Sequence, residues 1–294
     1  MDRRKWLSWD RAYKIVTASP AAVWQFVFMA LPLVAMLVMS FWTSNPSTLK
    51  LVPGFTLDNY VKFFTSRAYV DLLLKTIRIA TISVILIIVV SYPVAYYISF
   101  KIKNRVTQIF LLLSLFLPFW TSYLVRTFAW MTILGRGGLI NAFLMFAGLI
   151  QEPISAFLYS ENTTILGIVY VWLPFGILPI YSSLNGIDAS ILEASRDLGA
   201  GDLSTFLHVT LPLSTPGILA SAIILFIPIL GSYVEPSLLG GPYGTMIGIP
   251  LLRQYGAGFM WPFGNAMAFI LLATAAGIIL IFTRFVKFEK ILRF

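Results

Sequence analysis

Apolar residues run in long blocks along this chain, and polar residues collect between them. Six blocks are long enough, at about 1.5 Å per helical residue, to cross roughly 30 Å of hydrocarbon. They predict membrane helices over Ala21–Trp42, Thr76–Phe100, Ile109–Leu134, Thr163–Leu184, Gly217–Leu239 and Asn265–Phe285. No polar stretch between them is long enough for an independent core. The expectation is one all-α membrane domain over residues 1–294, with a long loop over 43–75 and a polar element over 187–210.

The connecting segments differ in character. Residues 43–75 carry turn signals at Asn45-Pro46 and Pro53-Gly54 and a short helix at "LDNYVKFF", capped by Asp58; a docking surface and a lid both fit. "GLINAFLMFAGLI", residues 138–150, is apolar but too short to span, which predicts an interfacial or re-entrant helix. Pro32, Pro93, Pro118, Pro174, Pro179, Pro228 and Pro236 fall inside the expected spans and predict kinks, because proline removes a backbone donor.

The polar element reads as two short helices. Ser190 and Glu193 have the spacing of a capping box, and Gly199 after Leu198 ends the first helix in the left-handed conformation. Asp202 caps a second helix, "LSTFLHVT", which is expected to stop before Pro212. Ile187, Ile191, Ala194 and Leu198 recur at helical spacing and give the first helix an apolar stripe. A capped, striped helix between spans offers a surface to a partner.

Composition confirms the membrane class: 59% of the residues are hydrophobic and 11% charged. The net charge of +9 raises nucleic acid as a partner, but its distribution describes topology instead. With the N-terminus inside, Arg3, Arg4, Lys5, Arg11, Lys14, Lys101, Lys103, Arg105, Arg196, Arg284, Lys287, Lys290 and Arg293 face the cytoplasm. Only Lys50, Lys62, Arg67, Lys75, Arg136 and Arg253 lie outside, four of them in one long loop where charge constrains orientation less. Both termini are therefore expected in the cytoplasm, and the first block is expected to be a retained span rather than a cleaved signal.

Cysteine is absent, so no disulfide or thiolate site exists. The one histidine, His208, has no ligand-spaced neighbours, and HExxH is missing, which argues against an enzyme and a metal site. No Gly-Lys dipeptide occurs, so the chain cannot form the phosphate-cradling loop of a nucleotide hydrolase. Energy for transport has to come from elsewhere.

"EASRDLGAGDLSTFLHVTLPLSTPGI", from Glu193 on, resembles the EAA loop of permease subunits in ATP-binding-cassette importers. Glu193, Ala194, Gly199, Val209, Leu211 and Pro212 match that pattern, and Ser195 replaces its usual alanine. "SYPVAYYIS" (91–99), "LPFWTSYLVRTFAWMTILGRGGLIN" (117–141), "PSLLGGP" (236–242) and "MIGIPLLRQYGAGFMWPFGNAMA" (246–268) are similar to the subgroup importing spermidine and putrescine.

The resemblance implies the six-span type I importer permease fold in the bacterial inner membrane. It also implies two cytoplasmic ATPase subunits carrying ATP and Mg, a second permease forming a heterodimer, and an external substrate-binding protein. This chain would bind no cofactor itself. Glu193, Ala194, Ser195, Leu198, Gly199 and Pro212 would then be the ATPase-coupling residues, their helix seated on an ATPase subunit.

Charged residues inside spans cost roughly 2.5–3.5 kcal/mol at mid-helix and ask for a reason. Arg78 lies near a span end and is expected to snorkel as an anchor. Arg126 sits among Trp120, Tyr123 and Trp130, and Glu235 beside Tyr233. A polyamine is a flexible string of ammonium groups, recognised by carboxylates and aromatic faces. Glu235, Tyr233, Arg126 and Trp120 are accordingly the substrate-pathway candidates; the alternative is that Glu235 and Arg126 pair and pin two spans together. A secondary transporter or channel subunit working without ATP is the competing function, although six spans without a visible repeat fit it poorly.

Overall fold

A computed structural model describes residues 17, 19–20, 23–45, 50–256 and 259–285. The terminal basic residues behind the expected topology, Arg3 to Lys14 and Lys287 to Arg293, lie outside the described residues, as do the side chain of Arg284 and the turn residue Pro46. Six helices are long and apolar enough to cross a membrane, as the hydropathy pattern predicts. The chain divides into two compact units, Met1–Ser66 with Arg253–Ile270, and Arg67–Leu252 with Leu271–Phe294.

In the first unit, helix α1 (Val23–Ser40) is apolar on all sides and only 6% of its residues are buried. It contains a π-helical turn, Phe26–Ala30, closed by the Leu31 amide on the Phe26 carbonyl. The turn lies just ahead of Pro32, whose ring would crowd the carbonyl four residues back in a regular helix; the wider turn relieves the crowding. Beyond α1, strands β1 (Thr43–Ser44) and β2 (Leu51–Val52) pair antiparallel, a small departure from the all-α expectation. Helix α2 (Asp58–Thr65) follows. Its N-cap is Leu57 rather than Asp58, whose amide is held by the Thr56 hydroxyl at 3.1 Å. Asn59 Nδ2 donates to the carbonyls of Ser40 and Trp42, both at 2.8 Å, and so bolts α2 to the end of α1.

The second unit is built on three spans: α3 (Arg67–Phe100), α7 (Glu161–Asn185) and α9 (Asp202–Leu230). Ile79, Val84 and Ile87 of α3 interlock with Ile165 and Ile168 of α7 and with Leu225, Phe226 and Ile229 of α9. Nearer the other end, Tyr92, Ala95 and Ile98 meet Ile177, Ile180, Tyr181 and Leu184. Small residues allow this approach, as membrane helices require. A Cβ at Gly176 would stand 2.6 Å from Ile87 Cγ2, and one at Gly217 would stand 2.6 Å from the Pro179 carbonyl. Hydroxyls then bridge the helices: Tyr92 and Ser214 lie 2.8 Å apart, and Ser221 donates to the Gly176 carbonyl at 3.2 Å.

Between α3 and α7 the expected span Ile109–Leu134 is not one helix. It divides into α4 (Arg105–Ser114), a 3-10 turn over Leu117–Trp120 and α5 (Tyr123–Leu134). Pro118 stops the helix, and the apolar stretch of spanning length is displaced to Tyr123–Phe146. That stretch takes in the expected interfacial helix as α6 (Leu139–Phe146). The interruption between α5 and α6 is fastened by buried Asn141, which donates to the carbonyls of Gly135 (3.0 Å) and Ile154 (3.1 Å) and accepts from the Ile154 amide. The fifth span differs as well. It begins at Asp202 and ends at Leu230, so Glu235 lies beyond it, next to a π-helical segment over Pro236–Gly240. The chain continues through α10 (Gly248–Tyr255) to the last span, α11 (Trp261–Phe285).

Arg78 does not snorkel alone: it forms a 2.6 Å ion pair with Glu161 in the first turn of α7.

Candidate functional site

The polar element of the sequence folds around helix α8 (Ala189–Asp197). Its cap is Asp188, not Ser190: the Asp188 carboxylate accepts from the Ser190 amide at 3.0 Å. Hydrogen bonds from the backbone and side chain of Ser190 hold the Asp188 carboxyl below its ordinary value. The C-terminus closes as expected. Leu198 is the C-cap, Gly199 adopts φ +81°, and the Ala200 amide returns to the Ser195 carbonyl at 3.1 Å.

Asp202 does not cap the next helix, because Gly201 holds that position and Asp202 is the first helical residue. Its carboxylate meets Arg196 at 3.3 Å, an exposed pair of small energetic value. The helix also fails to stop before Pro212. It passes through a π-helical turn, Phe206–Thr210, closed by the Leu211 amide on the Phe206 carbonyl, and runs on as α9. This turn precedes Pro212 as the α1 turn precedes Pro32, and it relieves the same crowding. His208 is occupied locally, its Nδ1 lying 3.0 Å from the Ser204 carbonyl.

Ser195, where the resembling pattern has alanine, makes a contact that the sequence did not announce. Its Oγ lies 3.0 Å from Oγ1 of the buried Thr205 and ties α8 to α9. The apolar stripe divides in two. Ile187 packs inward against the Tyr181 and Leu184 cluster. Ile191, Ala194 and Leu198 instead line an open groove of about 610 Å³ together with Ser195, Ala200 and Val209. Leu198 is 89% exposed at its rim, and Glu193 is exposed on the same helix. Pro212 lies within α9 and does not line the groove.

A second polar site forms where the chain leaves α9. Glu235 is fully buried. Its Oε2 accepts a short hydrogen bond from Ser232, while Oε1 has no partner. The Tyr123 side chain lies close to both Glu235 and Ser232. Arg126, one turn further along α5, is buried too, with its guanidinium carbon 4.2 Å from the Phe119 ring centroid and its Nε unpartnered. The Glu235–Arg126 alternative does not hold, since the ion pairs among the described residues are Arg67–Asp71, Arg78–Glu161 and Arg196–Asp202. Of the pathway candidates, Trp120 is 88% exposed and Tyr233 is exposed as well, whereas Glu235 and Arg126 are buried. The side chain bonded to Glu235 is Ser232, with Tyr123 close by. Tyr123 precedes Arg126 by three residues and Ser232 precedes Glu235 by three, so a helical face read from either charge points to them.

Among the described residues, no group of three histidine, aspartate or glutamate side chains could hold a metal ion.

No protein-family model matches the chain. It is 34% identical over 262 residues to the spermidine/putrescine transport system permease protein PotB of Escherichia coli (strain K12), covering 89% of this chain and 93% of that one. The protein of the same name from Haemophilus influenzae is 32% identical over 275 residues, 94% of each chain. The inner membrane ABC transporter permease protein YdcU of Escherichia coli is 35% identical over 237 residues, 76% of this chain and 74% of that one. Among solved structures, a chain of a bacterial ABC transporter involved in the import of alginate superposes with a TM-score of 0.76 at 19% identity, covering 96% of this chain and 98% of its own. At that identity the likeness establishes the fold.

Proposed function

Because this chain belongs to the permease subunits of ATP-binding-cassette importers, we propose that it lines a pathway in the bacterial inner membrane for a small, cationic, polyamine-like solute. An external binding protein delivers that solute, a second permease completes the pathway as a heterodimer, and two cytoplasmic ATPase subunits carrying ATP and Mg drive it. The chain itself binds no cofactor and catalyses no reaction. Both termini face the cytoplasm, with α8 on that side. The polyamine class is supported by the spermidine/putrescine transport names of the relatives and by Glu235: a buried carboxylate with an open oxygen near a tyrosine suits a passing ammonium group.

The observation that carries the coupling reading is Leu198. Leaving a leucine in water forgoes about 1.5–3 kcal/mol of burial, and here it stands 89% exposed on a helix capped at both ends and tied to α9 by Ser195. A partner that covers it recovers that energy. The helix near Glu193 and Ala194 is therefore the seat of an ATPase subunit, with the groove behind it receiving an apolar side chain.

Leu198→Glu tests this in the whole complex. The variant should still insert and pair with the second permease, while co-purification of the ATPase subunits falls by at least about tenfold, the effect of roughly 1.4 kcal/mol. Undiminished retention of the ATPase subunits rejects the assignment, and absence of any ATPase partner for the unaltered protein restores ATP-independent transport. For the substrate, the compounds bound by the external binding protein decide: no affinity for polyamines rejects that class.

A further inference from the structure

Helix α2 presents three different sectors around its axis. At about 100° per residue, Asn59, Phe63 and Tyr60 share one side, Phe64, Leu57 and Val61 the next, and Thr65, Asp58 and Lys62 the third. The first sector is turned into the protein: Phe63 is completely buried, Tyr60 and Asn59 are half-buried, and both reach the end of α1. The third sector is polar and exposed. The second is apolar and equally exposed, with Leu57 at 55%, Val61 at 54% and Phe64 at 61%. A helix surrounded only by protein and water would have no reason for that middle sector.

Position supplies the reason. Tyr60 Oη lies 2.7 Å from Ser40 Oγ, and Asn59 holds the carbonyls of Ser40 and Trp42, where α1 ends. Lys62 sits 4.6 Å above the ring of Phe263, in the first turn of α11. Helix α2 is thus fixed at the ends of two spans, at the depth where hydrocarbon gives way to water. The apolar sector prolongs the uncovered apolar surface of α1 and lies between the protein-facing and water-facing sectors. Protein, lipid and water are met in turn around one helix, as an interfacial helix requires.

We propose that α2 is an interfacial membrane anchor whose Leu57, Val61 and Phe64 insert among the glycerol and upper acyl groups of the bilayer. Phe55, exposed and stacked on Phe41 at 4.9 Å, extends the inserted patch toward α1. The occupant is lipid rather than the external binding protein, because a docked protein would also cover the polar sector, which is built for water.

The cysteine-free chain allows a direct test. Val61→Cys, Phe64→Cys, Asp58→Cys and Thr65→Cys are each labelled with an environment-sensitive fluorophore in the complete importer. The complex is reconstituted in vesicles of phosphatidylethanolamine and phosphatidylglycerol containing a lipid spin-labelled near its headgroup. The labels at 61 and 64 should lose most of their emission to the spin label, while those at 58 and 65 keep theirs. Equal quenching at all four positions, or none at 61 and 64, overturns the proposal. So does a label at 61 or 64 that ignores the spin-labelled lipid and responds only when the external binding protein is added.

Discussion

Ser195 and Thr205 face each other across the turn at Gly199, their hydroxyl oxygens 3.0 Å apart, and this contact ties α8 to α9 beside the exposed Arg196–Asp202 pair. One member is buried and the other half-buried. A hydrogen bond of this kind contributes about 1 kcal/mol net. Ser195→Ala should accordingly raise amide hydrogen exchange within α8 by about fivefold, with little change in α9. Thr205→Val should do the same, and the double variant should add little to either, which a double-mutant cycle on exchange rates would establish.

Gly199 turns the chain at φ +81° with open space around it, so conformation rather than crowding demands glycine there. A β-branched replacement pays about 1–2 kcal/mol of backbone strain in that region. Gly199→Val should leave the protein in the membrane and its spans folded, yet lower substrate-stimulated ATP hydrolysis by the complex by roughly tenfold. Hydrolysis at the unaltered rate would separate this turn from coupling.

Asp188 makes the start of α8 sensitive to acid in a defined direction. Its carboxyl is depressed by hydrogen bonds from Ser190, so its contribution is complete above the ordinary value of 3.8 and disappears as pH falls through the lower folded value. Exchange protection of the first α8 amides should be independent of pH from neutrality down to that range, apart from the intrinsic rate, and then fall. Asp188→Asn should retain a cap and abolish the pH dependence, measured by the same exchange experiment.

Glu235 keeps an unpartnered oxygen in a fully buried site. Glu235→Gln preserves shape and the Ser232 contact but removes the charge. Uptake of a cationic solute into reconstituted vesicles should fall by about 10- to 100-fold, as the loss of roughly 1.5–3 kcal/mol for a hydrogen bond to a charged group implies. The complex should assemble normally, and unchanged uptake kinetics would remove Glu235 from the pathway.

Gly176 and Gly217 bring α7 against α3 and α9, and a methyl group at either meets atoms 2.5 to 2.7 Å away. Gly176→Ala should destabilise the bundle by about 1–3 kcal/mol, the usual cost of overpacking, and lower the midpoint of thermal unfolding in detergent.

The spans were legible because lipid leaves a helix few choices: every backbone group is satisfied internally and the exterior is apolar, so length and hydropathy suffice. The same signal misplaced the end of the fifth span: the apolar run carries on to Leu239 across Ser232, Glu235 and Pro236, whereas the helix ends at Leu230 and the following, largely buried segment lies within the protein, where irregular backbone is allowed. Ser190 and Glu193 carried the spacing of a cap, but Asp188, two residues earlier, offers a carboxylate at the right reach, and local spacing alone does not choose between them. Opposite charges suggested that Arg126 would find Glu235. Instead Ser232 supplies a donor within the same turn and Phe119 offers Arg126 a ring face, contacts that only the three-dimensional arrangement discloses.

The π-helical turn at Phe206–Thr210 has a mechanical consequence. By letting the helix pass Pro212 unbroken, it fuses the strut beside the groove and the fifth span into one beam of 29 residues, about 43 Å long. Tilting that beam by about 10° at its groove end swings the far end through roughly 7 Å, at about 1.5 Å of length per residue. Gly231 marks that far end and Glu235 follows four residues on, so in the coupling proposed above a push at the groove end reaches the segment that holds the buried carboxylate.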